Sequence, residues 1–227
     1  MSHGAESGQQ TIDPGDLADF IDHTCVHPNM TGADVDRVCA EALHYGFRGV
    51  VVPSGYVSHA KRRLMNTGIK VVSTVGFPHG TAAPDVKAHE ASRAASAGAD
   101  EIDYVISIGA ALENNYRYIR EEGVAIVRQT RGKLLKAILE VGYLNEEQIF
   151  HCARELAAAR IHFVKTCTGF GPGQATEEDV RLIARAADGK ALVKASGGIR
   201  DRRTAIRLLK AGAAILGTSA GPSIVTK

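Results

Sequence analysis

Three short runs decide the fold: LLKAILEV at 134–141, FVKTCT at 163–168 and ALVKAS at 191–196. Each is short, largely apolar and interrupted by a lysine: Lys136, Lys165 and Lys194. Apolar runs of this length read as buried strands. A strand covered on both faces is apolar throughout, so a charge inside one costs free energy unless something compensates it. The lysines follow one another at intervals of 29 positions, the length of one strand–helix unit. That spacing predicts three neighbouring parallel strands with their lysines side by side at similar depth.

The same alternation extends outward in both directions. Further strands are expected at 20–24 (FIDHT), 48–53 (RGVVVP), 70–76 (KVVSTVG), 101–107 (EIDYVIS) and 213–218 (AAILGT). Helical patterns lie between them. Thr31 with Asp34, Asn145 with Glu146 and Glu147, and Thr176 with Asp179 are start signals, and Gly46, Gly98, Gly189 and Gly212 are stops. Three helix-to-strand junctions, HYGFRGV, SAGADEI and KAGAAIL, resemble one another. Eight such units imply an α/β protein, a single (β/α)8 TIM barrel. The alternative is an open doubly wound sheet, disfavoured because no GxGxxG follows the first strand. Asp13-Pro14 predicts a short N-terminal helix through Leu17 and Phe20. Residues 1–12 are expected to be a disordered tail, and 13–227 one barrel domain. Only GPSIVTK follows the eighth strand, so the last helix is expected to be truncated.

Composition agrees. The 227 residues are 44% hydrophobic and 23% charged, which fits one barrel of roughly 200–250 residues. Lys and Arg number 27 against 25 Asp and Glu, too even a balance to mark a nucleic-acid or membrane surface. No apolar stretch is long enough to span a bilayer, and MSHGAESGQQ has no secretory pattern. Cys25, Cys39, Cys152 and Cys167 form no CxxC pair and read as reduced thiols, so a cytoplasmic protein is expected.

Strand charges carry the chemistry. Besides the three lysines, Asp22, Glu101, Asp103 and Glu140 fall inside expected strands. Asp103 lies one strand before Lys136, so it and the lysines should converge near the C-terminal mouth, where barrel active sites sit. Two ammonium groups roughly 5 Å apart repel by about 3 kcal/mol, or about two pKa units. Desolvation lowers the pKa further, and a lysine so depressed is a nucleophile that forms Schiff bases with aldehydes. A neighbouring carboxylate moves the protons. Ser196-Gly197-Gly198 follows strand seven, and Gly217-Thr218-Ser219 ends strand eight; these are the two loops that bind phosphate in many barrels. His23 and His27 are spaced HxxxH but span a strand end and a loop, so no metal site is expected. Cys167 falls two residues after Lys165. It is either a packed thiol or, on the same strand face, part of the active-site lining.

The runs IDHT (21–24), GFPHG (76–80), EIDYVISIGA (101–110), LKAILE (135–140), FVKTCTGF (163–170) and VKASGGIR (193–200) resemble the deoxyribose-phosphate aldolase family. The likeness extends in order and spacing over nearly all of 17–221. It implies a class I aldolase on a (β/α)8 barrel. The implied reaction is reversible cleavage of 2-deoxy-D-ribose 5-phosphate to acetaldehyde and D-glyceraldehyde 3-phosphate, in deoxyribonucleoside catabolism. By the resemblance Lys165 forms the Schiff base, Lys194 assists it and Asp103 shuttles protons. Asp22, Lys136 and Thr166 bind substrate, and Gly197, Gly198 and Ser219 hold its phosphate. Implied partners are a small phosphorylated sugar and aldehydes, with no metal, no organic cofactor, no nucleic acid and no membrane; the assembly entertained is a homodimer. The chain departs from the family pattern at Cys167 (often Ser), His27-Pro28 (often Lys-Pro), Val52-Pro53-Ser54 (often Val-Asn-Pro) and Ser107 (often Asn). The strand-two change bears on substrate preference. Two other readings share much of this sequence: a Schiff-base aldolase for another phosphorylated sugar, and a non-catalytic sugar-phosphate-binding barrel.

Overall fold

The computed structural model describes residues 14–130 and 132–226. The expected tail at 1–12 and the helix-start residue Asp13 lie outside the described residues. Eight parallel strands close into a barrel in chain order. They are β1 (Ile21–Thr24), β2 (Gly49–Pro53), β3 (Lys70–Val75), β4 (Glu101–Val105), β5 (Leu134–Ile138), β6 (Phe163–Lys165), β7 (Leu192–Ser196) and β8 (Ala213–Thr218). The helices wrap the outside: α1 (Gly32–Tyr45), α2 (Val57–Arg63), α3 (Pro84–Ser96), α4 (Ile108–Leu112), α5 (Tyr116–Gln129), α6 (Glu146–Ala158), α7 (Glu177–Ala187), α8 (Arg202–Lys210) and α9 (Gly221–Val225). A short 3-10 helix, Pro14–Phe20, precedes β1, and α9 is the expected stunted last helix, five residues long. Among the described residues no helix is long and apolar enough to cross a membrane.

The start signals work as their chemistry predicts. Asp34 accepts hydrogen bonds from both the N–H and the hydroxyl of Thr31. Asn145 and Gln148 bond reciprocally across the first turn of α6. Thr176 accepts from the Asp179 N–H at the start of α7. Such caps satisfy helix N–H groups that have no partner within the helix. Gly46 ends α1 at φ +70°, a conformation other residues adopt at a cost. The helices lay their apolar stripes on the outward side chains of the sheet, and that layer is the hydrophobic core.

Two strand expectations are corrected. β5 stops at Ile138 and β6 at Lys165, so Glu140 and Cys167 are not strand residues. Glu140 turns into the left-handed region at φ +58°, and its buried carboxylate accepts from the Thr168 N–H and hydroxyl, joining the ends of the two strands. The equal spacing of the lysines also misleads about depth. Lys165 is directly beside Lys194, but Lys136 pairs with Phe163, two residues below Lys165. That places Lys136 roughly 7 Å deeper along the strand. Equal spacing means equal depth only where the intervening connections are alike and neighbouring strands are not staggered, and closing a barrel requires stagger.

Candidate active site

The barrel interior holds a column of charges. Asp103 faces Lys136 across the β4–β5 pair, with Nζ 2.9 Å from Oδ1. The other oxygen, Oδ2, accepts from both Lys165 (2.9 Å) and Lys194 (2.8 Å). Lys194 also donates to Asp22 at 2.5 Å. Below these, Lys136 meets Glu101 at 2.5 Å, and Arg48 enters from the N-terminal end of the barrel to bind Asp22 and Glu101. Two strand glycines make room for the column. A Cβ on Gly49 would stand 2.9 Å from Asp22 Oδ1, and one on Gly217 would stand 3.1 Å from Lys194 Cε.

A cavity of about 210 Å³ opens above the column at the C-terminal ends of the strands. Of the three lysines only Lys165 lines it. Gly197, Gly198 and Ser219 form part of its wall. Gly197 and Gly198 take φ +98° and +74°, and a Cβ on Gly197 would lie 2.8 Å from that of Cys167, so the loop is shaped for glycine. The Thr218 hydroxyl donates to the Ile199 carbonyl and accepts from the Ala220 N–H, which ties the two glycine-bearing loops together.

The other expected site residues stand elsewhere. Asp22 and Lys136 are fully buried under the cavity and do not line it. Thr166 is buried, with its hydroxyl donating to the Ser196 carbonyl at 2.7 Å and accepting from the Ser196 N–H at 2.9 Å. It clips β6 to β7. Cys167 is a packed core thiol beneath Gly197, and burial pushes its pKa up to about 12. β6 has already ended at Lys165, so Cys167 does not share its cavity-facing side. Ser54 donates to Glu90, which also accepts from the Gly76 N–H, so this departure knits the ends of β2 and β3. Ser107 caps α4. His23 bonds Glu41 and packs on Phe47 outside the barrel, whereas His27 stands on the cavity rim beside Phe170. Among the described residues no cluster of metal-ligating side chains is assembled.

Arg48 in the column and His27 on the cavity wall were not marked as site residues in the sequence. Glu101 reads in the sequence only as a strand charge. Its position two residues before Asp103 puts both on one strand face, a signal that was available.

Burial lowers the Lys165 pKa; Asp103 opposes that, and Lys194 adds to the lowering. The expected ammonium repulsion is therefore present but second to desolvation. Burial would raise the Asp103 pKa, but Lys136, Lys165 and Lys194 together hold it well below 3.8. Lys136 is buried too, yet its carboxylate neighbours raise its pKa. Lys165, the lysine of the column that meets the cavity, is thus shifted toward the free amine.

A family model described as DeoC/LacD family aldolase matches residues 17–226. A deoxyribose-phosphate aldolase of Thermus thermophilus is 45% identical over 210 residues, 92% of this chain and 96% of that one. Among solved structures, an aldolase named QR15 superposes with a TM-score of 0.88 at 37% identity, covering 92% of this chain and 94% of its own. The tetrameric deoxyribose phosphate aldolase of Aeropyrum pernix superposes with a TM-score of 0.84 at 33% identity, covering 93% and 90%. The matched range takes in all eight strands, and the chain belongs to the DeoC/LacD family of aldolases.

Proposed function

We propose that the protein cleaves 2-deoxy-D-ribose 5-phosphate reversibly to acetaldehyde and D-glyceraldehyde 3-phosphate, with Lys165 as the Schiff-base nucleophile. The free amine of Lys165 adds to C1 of the open-chain aldehyde, and loss of water leaves a protonated imine. The C2–C3 bond then breaks. Its electron pair flows to the imine nitrogen and forms an enamine, while the C3 hydroxyl loses its proton and becomes the aldehyde of the departing triose phosphate. Protonation of C2 and hydrolysis release acetaldehyde and restore the lysine. Asp103 and Lys194, hydrogen-bonded to each other beside Lys165, are the groups in reach to move these protons. Backbone and hydroxyl groups of Gly197, Gly198 and Ser219 hold the phosphate dianion and so orient the sugar.

The observation that carries this reading is the position of Lys165. It is the only lysine of the column on the cavity wall, and its one carboxylate oxygen is shared with Lys194. Borohydride reduction in the presence of acetaldehyde, followed by peptide mass mapping, tests it. A two-carbon adduct on Lys165 is expected; an adduct only on Lys136 or Lys194, or none, overturns it. A phosphorylated sugar does not cross membranes unaided, so the reaction belongs to the cytoplasm where such sugars arise. As in the Aeropyrum relative, self-association is expected, and light scattering reads the number of copies; a monomer is the contrary result.

A further inference from the structure

We propose that Arg48, at the far end of the barrel from the cavity, is a positioning residue that holds Lys165 in its amine form; this rests on the reading of Lys165 as nucleophile. Arg48 precedes β2, and its side chain, 21% exposed, carries the guanidinium into the barrel. One nitrogen, Nη1, donates to Asp22 Oδ1 at 2.7 Å and Glu101 Oε2 at 3.0 Å, and Nη2 donates to Glu101 Oε1 at 2.5 Å.

The cause is the balance of charge in the column. The connected column contains Asp22 from β1, Arg48 before β2, Glu101 and Asp103 from β4, and Lys136, Lys165 and Lys194 from β5, β6 and β7. Fully protonated at its bases, it has four cations against three carboxylates. A buried excess charge is costly, and it is relieved by losing one proton. Arg48 does not lose one, because a guanidinium stays protonated. Lys136 faces three carboxylates, at 2.5, 2.9 and 3.9 Å. Lys194 faces two, at 2.5 and 2.8 Å. Lys165 has a single carboxylate partner, at 2.9 Å, and shares its oxygen. The proton therefore leaves from Lys165, which also opens onto the cavity, where the exposed Arg200 and His27 stand on the wall.

Arg48 is the cation that creates the excess. Without it the column balances at three against three with every lysine protonated. Asp22 and Glu101, relieved of the guanidinium, hold Lys194 and Lys136 more strongly. Asp103 is then freer to stabilise an ammonium on Lys165. The sign follows: removing Arg48 raises the Lys165 pKa, and removing a carboxylate from the same end lowers it.

The test is the pH dependence of kcat/KM for cleavage of 2-deoxy-D-ribose 5-phosphate, whose acidic limb reports the free enzyme's base. In Arg48→Gln that limb is expected to move up by about one unit, with about tenfold lost below it and recovered at high pH. Glu101→Gln should move it down. The double variant, again with one excess cation, should lie near wild type, and Arg48→Lys should restore the wild-type limb. A residue that merely braces the barrel would lower stability without moving the limb in opposite directions for the two charges. If Arg48→Gln does not fold, the direction of the Glu101→Gln shift decides alone. A limb that stays in place while acetaldehyde and borohydride still label Lys165 overturns the role of Arg48. Absence of that label in the wild type overturns the underlying reading and this inference with it.

Discussion

Among the described residues two buried lysines have lowered pKa values, and only one of them meets the cavity. Lys165 lies inside the barrel, shares one oxygen of Asp103 with Lys194, and reaches the cavity. Lys87 lies outside the sheet on α3, fully buried, with Glu122 at 2.7 Å and the Val105 carbonyl at 2.8 Å as its own partners. Burial lowers both. The difference is in access and partners. Lys87 has a carboxylate to itself and is sealed between α3 and α5, where Glu122 also accepts from the Ser107 N–H and so anchors the loop after β4. Burial by itself makes a lysine neutral or strained; in the proposed reading a cavity and a contested counter-ion make Lys165 the nucleophile.

The sharpest way to break that contrast is to truncate each lysine. Lys165→Met should lose at least about 10⁴-fold in kcat and show no acetaldehyde–borohydride adduct, since the covalent step has no substitute. Lys87→Met should keep its adduct on Lys165 but unfold more easily, by roughly 3–5 kcal/mol, because it strands the Glu122 carboxyl. Pairing it with Glu122→Leu should recover most of that loss. A Lys87 variant that folds normally but cannot form the adduct would erase the distinction.

Lys194→Leu comes next, at roughly 10²–10⁴-fold in kcat/KM. It removes the rival for Asp103 Oδ2 and the repulsion on Lys165, so the acidic limb of the pH profile should rise and activity should partly return at high pH. Wild-type activity at neutral pH would show that burial alone sets the Lys165 pKa.

Further from the column, the glycine-bearing loops predict a smaller effect. Ser219→Asp puts a negative charge on the wall of the cavity, so KM for the phosphorylated sugar should rise by tens of fold while unphosphorylated deoxyribose is little affected. Equal responses of the two sugars would remove the phosphate from this wall.

These contrasts also show what a sequence can carry. The lysine runs, the caps at Thr31, Asn145 and Thr176, and the glycine-bearing loops are local patterns, and each appears in the barrel where its chemistry requires. Depth was not legible. Lys136 and Lys165 are as far apart in sequence as Lys165 and Lys194, yet strand stagger sets Lys136 two residues lower. Strand ends were not legible either. AILEV looks extended until Glu140 turns left-handed to meet Thr168, and the bond from the Thr166 hydroxyl to Ser196 forms only once β6 and β7 are side by side. Arg48 was hidden for the same reason: its partners are 26 and 53 positions away, and only closure of the barrel brings them together.

The smallest effect separates the two lysine sites by acid stability. In the barrel, burial would raise the Asp22 and Asp103 pKa values, but the surrounding cations win and hold both below 3.8. A carboxyl depressed on folding contributes stability that is fully present above its unfolded value and is lost as pH falls through the folded one. Glu122 has the opposite sign: burial raises it from 4.5 against the pull of Lys87, so its contribution is greatest at low pH and declines as pH rises through its folded value. Stability should therefore hold or rise slightly as pH drops toward 4.5, then fall steeply below about 3.8, at about 1.4 kcal/mol for each pKa unit by which a carboxyl is depressed. Asp103→Asn should flatten the steep part, because a carboxyl that gains protons on unfolding is gone. Glu122→Gln should leave the steep part alone and remove only the gentle slope above it. Thermal unfolding followed from pH 3 to 7 reads both. A steep limb that survives in Asp103→Asn but vanishes in Glu122→Gln would mean that the stability linkage resides in the sealed pair outside the barrel and not in the column beneath Lys165.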